Sequence, residues 1–163
     1  GLIGGEPMGG SSARLDAVVS ALRAASFDVT VSPQIQKDIW YKLWGNMTMN
    51  PISALTAATC DLILDDPLVS DFILRVMAEA AAIGARIGCP ISESGADRMA
   101  VTRKLGAFKT SMLQDAEAGR SLEIDALVAA PREIARKVEI ETPNMDALHG
   151  LIRLFARGRG LTS

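Results

Sequence analysis

Between Ile39 and Cys60, 22 consecutive residues carry a single charge, that of Lys42. A helix this apolar is normally buried, so the rest of the chain must supply surfaces that cover it. From about residue 34 onward the apolar side chains recur at helical spacing. Alanine is abundant, whereas Phe, Trp and Tyr together make up 4%. That balance favours closely packed helices over a β-sandwich. The expected fold is therefore mainly α.

One helix is expected over about Ile35 to Met49 and a second from Pro51, because the residue before a proline is steered away from the α conformation. Asn50 would then cap the second helix. A third starts at Asp66-Pro67, a cap followed by proline at the first helical position, and ends at Gly88. Its apolar stripe is Leu68, Phe72, Ile73, Val76, Ala80, Ile83 and Ile87. A fourth spans about 94–105, a fifth starts near Ser111 and a sixth near Ser121. A seventh starts at Thr142-Pro143, again a cap and proline at the first helical position, and carries Leu148, Leu151, Ile152 and Phe155. Pro131 falls inside the sixth helix, where it removes a donor and crowds the preceding turn, so a kink or break is expected near Ala130.

Residues 1–33 read differently. Gly1 to Glu6 is a short apolar run ending in a turn, and Pro7-Met8-Gly9-Gly10 is turn chemistry. Ser11 and Ser12 offer an N-cap for a helix through Ala25, with Leu15, Val18, Val19 and Leu22 on one face. Phe27 to Val31 alternates as a strand does. The glycines at 1, 4, 5, 9 and 10 lack GxGxxG spacing and read as a plain turn. This is a β-α-β piece too small to stand alone. The expected organisation is residues 1–33 as the tail of an α/β domain whose body is missing, and 34–163 as a helical domain. The chain, which does not begin with Met, reads as an excised piece of a longer protein.

Several functions are excluded by what is absent from the sequence. The formal net charge is −2, so no basic excess exists to neutralise the phosphates of a nucleic acid. Arg153, Arg157 and Arg159 cluster at an expected helix C-terminus, which favours cations anyway. Cys60 and Cys89 are far apart and form no CxxC, so a reducing, cytoplasmic compartment is expected. With one histidine, His149, they make no ordinary zinc site. No apolar run approaches the roughly 18 residues of a membrane span.

Lys42, Asn46 and Asn50 are the residues with chemistry in them. On a helix Asn46 and Asn50 lie about 40° and about 80° around from Lys42, while Trp40, Leu43, Trp44 and Met47 fill the adjoining arc. One amine and two amides beside an apolar wall suit a small polar ligand. Each also has a plainer use: Lys42 as a lysine whose stem lies on the core, Asn46 as an amide bonded to backbone, Asn50 as a cap. Further on, Ser111-Met-Leu-Gln114 fits a capping box, and a helix N-terminus there would also receive a carboxylate. Glu123 sits in an expected first helical turn, where an acid offsets the macrodipole.

Two segments together resemble the C-terminal domain of ketopantoate reductases, the 2-dehydropantoate 2-reductases of pantothenate synthesis. One is Asp38-Ile-Trp40-Tyr-Lys42-Leu-Trp44-Gly-Asn46-Met-Thr-Met-Asn50-Pro51. The other is Ser111-Met-Leu-Gln-Asp115, then Gly119-Arg120, then Glu123-Ile-Asp125. The resemblance covers nearly the whole chain. It implies a helical bundle like the C-terminal domain of 6-phosphogluconate dehydrogenase, preceded by a β-α-β remnant of a Rossmann domain that binds NADPH. It implies Lys42 as the catalytic lysine, and Asn46, Asn50 and Ser111 as holders of the substrate. Glu123 matches an essential catalytic carboxylate that touches the cofactor and the lysine's neighbourhood.

The residue types suit that chemistry. Hydride addition to the C2 carbonyl of a 2-oxo acid builds negative charge on the oxygen, which an ammonium stabilises and then protonates. Amides bond a hydroxyl as donor or acceptor, and a carboxylate beside the amine would help to orient it. The chain departs from the family in three places. The GxGxxG loop is absent, so these residues alone are not expected to bind NADPH well or to turn over. Cys60 stands where some family members have an asparagine that contacts substrate. Pro131 interrupts a helix that the family usually continues. The rival expectations are a related 2-oxo acid reductase with another substrate, and a helical dimerisation module without chemistry. The Ala- and Gly-rich third helix permits close packing within the chain or across a homodimer.

Overall fold

The computed structural model describes residues 1–162. They divide into two compact units, Gly1–Lys42 and Leu43 onward. The first begins with β1 (Leu2–Gly4), α1 (Ala13–Ala24) and β2 (Val29–Val31). The strands are parallel, with Leu2 opposite Val29 and Gly4 opposite Val31. Parallel pairing needs a crossover, and α1 provides it. The Ser12 hydroxyl caps α1 by accepting from the Leu15 amide at 3.1 Å. Leu15, Val19 and Val29 form a small core with Leu22 packed against it. Val18, expected on the same face, is instead 53% exposed. Gly9 and Gly10 both have positive φ (81° and 80°) and make a turn, Gly9 N–H donating to the Glu6 carbonyl at 2.9 Å. Only glycine adopts two such angles in succession without strain.

The unit boundary falls within α2 (Ile35–Thr56), a single helix that runs through Pro51. The break expected before that proline is absent, and Asn50 is a helical residue and not a cap. The physical reason is burial. Residues 47–54 are all buried, and interring Met47, Met49 and Ile52 stabilises by about 1.5–3 kcal/mol each. An interior proline costs about 3 kcal/mol, so packing wins.

The second unit continues with α3 (Cys60–Asp65), α4 (Pro67–Arg86), α5 (Gly95–Arg103) and α6 (Ser111–Glu117). It ends with α7 (Ala130–Lys137) and α8 (Pro143–Arg159). Helix α4 packs against α3, α5, α7 and α8. Its start is as expected: the Asp66 carboxylate accepts from Leu68 and Val69 N–H at 2.9 and 3.0 Å, and Pro67 follows. Ile73, Val76, Ala80 and Ile83 are buried, whereas Leu68, at the helix start, is 80% exposed. Trp44 of α2 donates its indole N–H to the Met77 carbonyl of α4 at 2.9 Å.

Three helix starts differ from expectation. The cap of α6 is Thr110, whose hydroxyl accepts from the Leu113 amide at 3.2 Å. Ser111 is therefore the first helical residue, exposed, and the capping box read at Ser111 is not formed. The helix expected near Ser121 begins later, as a π-helical turn (Asp125–Ala129) leading into α7. There the Ala130 N–H donates five residues back to the Asp125 carbonyl. Pro131, without an N–H, follows directly, so the irregularity expected near Ala130 takes the form of a widened turn.

The third is α8, where Thr142 makes no side-chain cap. Its N-terminus is satisfied from a distance: the Glu79 carboxylate of α4 accepts from the Asn144 and Met145 N–H groups, each at 2.9 Å. Pro143 has no N–H to satisfy. The short helix α3 was not expected at all; six residues are too few for a periodic pattern.

Candidate functional site

Asn46 and Asn50 are one turn apart on α2 and line one small cavity of the second unit, of about 120 Å³. Opposite them stand Cys60 from α3, Arg98 and Thr102 from α5, and Thr110 from the α6 cap. The loop before α6 is held to α3 by the Cys60 N–H, which donates to the Phe108 carbonyl at 3.0 Å. Asn50 is buried and Asn46 half-buried. The Thr102 hydroxyl donates its proton to the Arg98 carbonyl at 3.1 Å, whereas the Thr110 hydroxyl accepts from the Leu113 N–H in the α6 cap and can still donate its own.

Arg98 reaches the cavity because residue 45 is glycine. A Cβ at position 45 would lie 3.2 Å from Arg98 Nε and 3.3 Å from Nη2, closer than ordinary contact. The guanidinium is therefore seated against the bare backbone of α2. Among the described residues, none of those lining the cavity is acidic. Burial, with the Asp61 charge adding to it, pushes the Cys60 thiol pKa up, so Cys60 stays a neutral thiol at neutral pH.

Lys42 is the last residue of the first unit and is exposed. It lines an open cleft there with Gly1, Leu2, Ile3, Asp38 and Ile39. Asp38 lies one helical turn before it on α2, the orientation in which an acid best supports a lysine, and it also receives the Ser32 hydroxyl. Asp38 is thus the carboxylate that lines this cleft together with Lys42.

Ser111 and Glu123 are both exposed. Ser111 adjoins Thr110 but is not itself among the residues lining the cavity. Glu123 precedes the π-helical turn, its carbonyl accepting from the Leu127 N–H at 3.1 Å, and it does not line the cavity either. The structure thus brings together the two asparagines and adds Arg98, Thr102 and Thr110. Arg98 carries no signal in the sequence, since it is one of several charges on a polar helix and only the tertiary fold sets it against Gly45.

His149 lies elsewhere, buried on α8 with Nδ1 2.6 Å from Arg132 Nη1. A guanidinium can only donate, so Nδ1 accepts. Burial, then the charges of Arg132 and Arg153, hold its pKa below the ordinary histidine value of 6.5. Among the described residues no three His, Cys, Asp or Glu side chains gather as a metal ion requires, and no helix is long and apolar enough to cross a membrane.

Residues 34–156 match the family model of the ketopantoate reductase (PanE/ApbA) C-terminal domain. The chain is 41% identical over 159 residues to the 2-dehydropantoate 2-reductase of Mesorhizobium japonicum, covering 98% of this chain and 49% of that protein. A crystal structure of a candidate ketopantoate reductase from Ralstonia solanacearum MolK2 is 62% identical with a TM-score of 0.93, over 98% of this chain and 48% of that one. The 2-dehydropantoate 2-reductase of Methylococcus capsulatus superposes with a TM-score of 0.88 at 27% identity, over 96% of this chain and 51% of that one. The chain thus spans about half the length of the relatives it matches.

Proposed function

The chain belongs to the ketopantoate reductase family, as its C-terminal domain, and from that premise we propose that it is the helical half of an NADPH-dependent reductase converting 2-dehydropantoate to pantoate. The observation that carries this is the pairing of Asn46 and Asn50 in one cavity on the helix that also bears Lys42. NADPH, when bound, supplies the hydride that adds to the C2 carbonyl. Lys42 stabilises the charge that grows on the carbonyl oxygen and gives it a proton from Nζ. Asn46 and Asn50 take the substrate hydroxyl, and Ser111, beside Thr110, holds the other end of the acid. Glu123 would supply the carboxylate that contacts the cofactor.

The dinucleotide phosphates do not fit the glycines present here. The Gly9-Gly10 turn closes on the Glu6 and Pro33 carbonyls. The Glu6 carboxylate, bonded to Ser12 and Arg14 at the start of α1, would repel an anion there. Phosphate binding is therefore assigned to sequence outside residues 1–163, and these residues alone are expected to be inactive. Assembly as a homodimer belongs to the same proposal; α4 leaves Ala78, Ala82 and Ala85 exposed at helical spacing.

The test is oxidation of NADPH, with NADH in parallel, by the full-length protein given 2-dehydropantoate and a panel of other 2-oxo acids. Turnover of 2-dehydropantoate above the rest supports the proposal. Turnover of a different 2-oxo acid supports the second reading, a related reductase, which the neutral Cys60 thiol in the cavity favours. Tight dimerisation with no cofactor binding would leave only a helical packing module.

A further inference from the structure

We propose that Thr110 is a further substrate-binding residue of the cavity, its hydroxyl donating a hydrogen bond to the carboxylate of the 2-oxo acid. This rests on the reductase proposal and adds a residue that neither the two sequence segments nor the family resemblance assigns. Thr110 lines the cavity with Asn46 and Asn50 and is 4% exposed. Its Oγ1 accepts from the Leu113 N–H at 3.2 Å, which uses a lone pair and leaves the hydroxyl proton to give. Among the described residues no acceptor takes that proton. A buried donor is costly to leave unmatched and is normally satisfied, so the position calls for an acceptor brought in from outside. The other hydroxyl lining the cavity, that of Thr102, is spent on the Arg98 carbonyl at 3.1 Å. The Cys60 thiol is a weak donor. Ser111, the hydroxyl that the sequence points to, is exposed and does not line the cavity. A hydroxyl that accepts an N–H is polarised into a stronger donor, and the acceptor that gains most from it is an ionised oxygen. Among the described residues none of those lining the cavity is acidic, so a carboxylate meets no like charge there. Finally, about 120 Å³ is well below the roughly 300–1,000 Å³ of pockets for drug-sized ligands, so the cavity admits a short acid and not a dinucleotide.

The hydroxyl also caps α6, so the experiment separates the two roles. Steady-state reduction with NADPH is measured for the full-length protein and for Thr110→Ser, Thr110→Gly and Thr110→Asp, with a panel of 2-oxo acids that includes 2-dehydropantoate, and with the matching neutral 2-oxo amides. Urea midpoints are read in parallel. Serine keeps both the cap acceptor and the proton, so KM stays within about 3-fold of wild type. Glycine caps a helix almost as well as threonine but has no proton to give. It leaves the urea midpoint close to wild type and raises KM for the acid by about 10- to 100-fold, with kcat changed far less. The amide loses only a neutral hydrogen bond, so its KM rises by less than about 10-fold. Aspartate is the variant that preserves the test if glycine fails to fold. It keeps the cap acceptor, and the Leu113 N–H that it accepts favours its ionised form. Its charge then opposes the carboxylate and raises KM for the acid further than glycine does, sparing the amide. Equal losses on acid and amide, or no change in KM with glycine and aspartate, overturn the assignment while the wild type still turns over. So does a serine variant as impaired as the glycine one. No reduction of any 2-oxo acid by the wild type overturns the reductase proposal and this assignment with it.

Discussion

Glu79 offers a sharp energetic test of how the helical unit is held together. Its carboxylate accepts from two backbone N–H groups of α8, at Asn144 and Met145, and from the Asn144 side-chain amide at 2.6 Å. These are the N–H groups that the first turn leaves over, because Pro143 has none and the Asp146 N–H donates to the Thr142 carbonyl at 2.8 Å. Loss of an N-cap costs about 0.5–2 kcal/mol, and hydrogen bonds to a charged group contribute about 1.5–3 kcal/mol. Water can replace part of this at a half-buried helix end. Glu79→Ala is therefore expected to destabilise by about 2–4 kcal/mol. Glu79→Gln keeps an acceptor but loses the charge that faces the helix dipole, so its cost is smaller, about 1–2 kcal/mol. Urea unfolding of wild type and both variants gives the values, and amide hydrogen exchange at Asn144 and Met145 localises them. A cost for Glu79→Ala below about 0.5 kcal/mol, the range of neutral surface changes, would refute the reasoning. So would a glutamine variant as unstable as the alanine one.

Two further predictions concern α8. Ile152 is fully buried and Leu151 is 56% exposed, so Ile152→Ala should cost about 2–5 kcal/mol and Leu151→Ala within about 0.5 kcal/mol, read by the same urea transitions. His149 is the single histidine, and its folded pKa lies below the ordinary 6.5. The unfolded chain therefore binds the proton first. Stability is full above about pH 6.5, falls as pH drops below it, and levels off beneath the folded value. The urea midpoint should show that slope in the wild type and lose it in His149→Gln; parallel curves would contradict the assignment.

Much of the fold was legible because its signals are local. The Asp66-Pro67 start of α4 and the β-α-β order of the first residues need only caps, prolines and period. What was not legible depended on distant partners. Pro51 reads as a helix boundary until the burial of residues 47–54 is known. Thr142 reads as a cap until Glu79, 65 residues away from Asn144, is seen to do that work. Leu151 fits the apolar stripe of α8 by spacing, yet it faces away from the core. In the candidate site Asn46 and Asn50 were legible from their one-turn spacing. Arg98 was not, since its place depends on Gly45 and on how α5 meets α2.

The central claim is that Lys42 supplies the proton in reduction of a 2-oxo acid. The most direct measurement is kcat and NADPH affinity for the full-length protein and for Lys42→Ala, with 2-dehydropantoate as substrate. The account predicts a fall in kcat of about 100-fold or more, the usual contribution of a positioned acid, with NADPH affinity and unfolding midpoint unchanged. A variant that keeps wild-type kcat would contradict it.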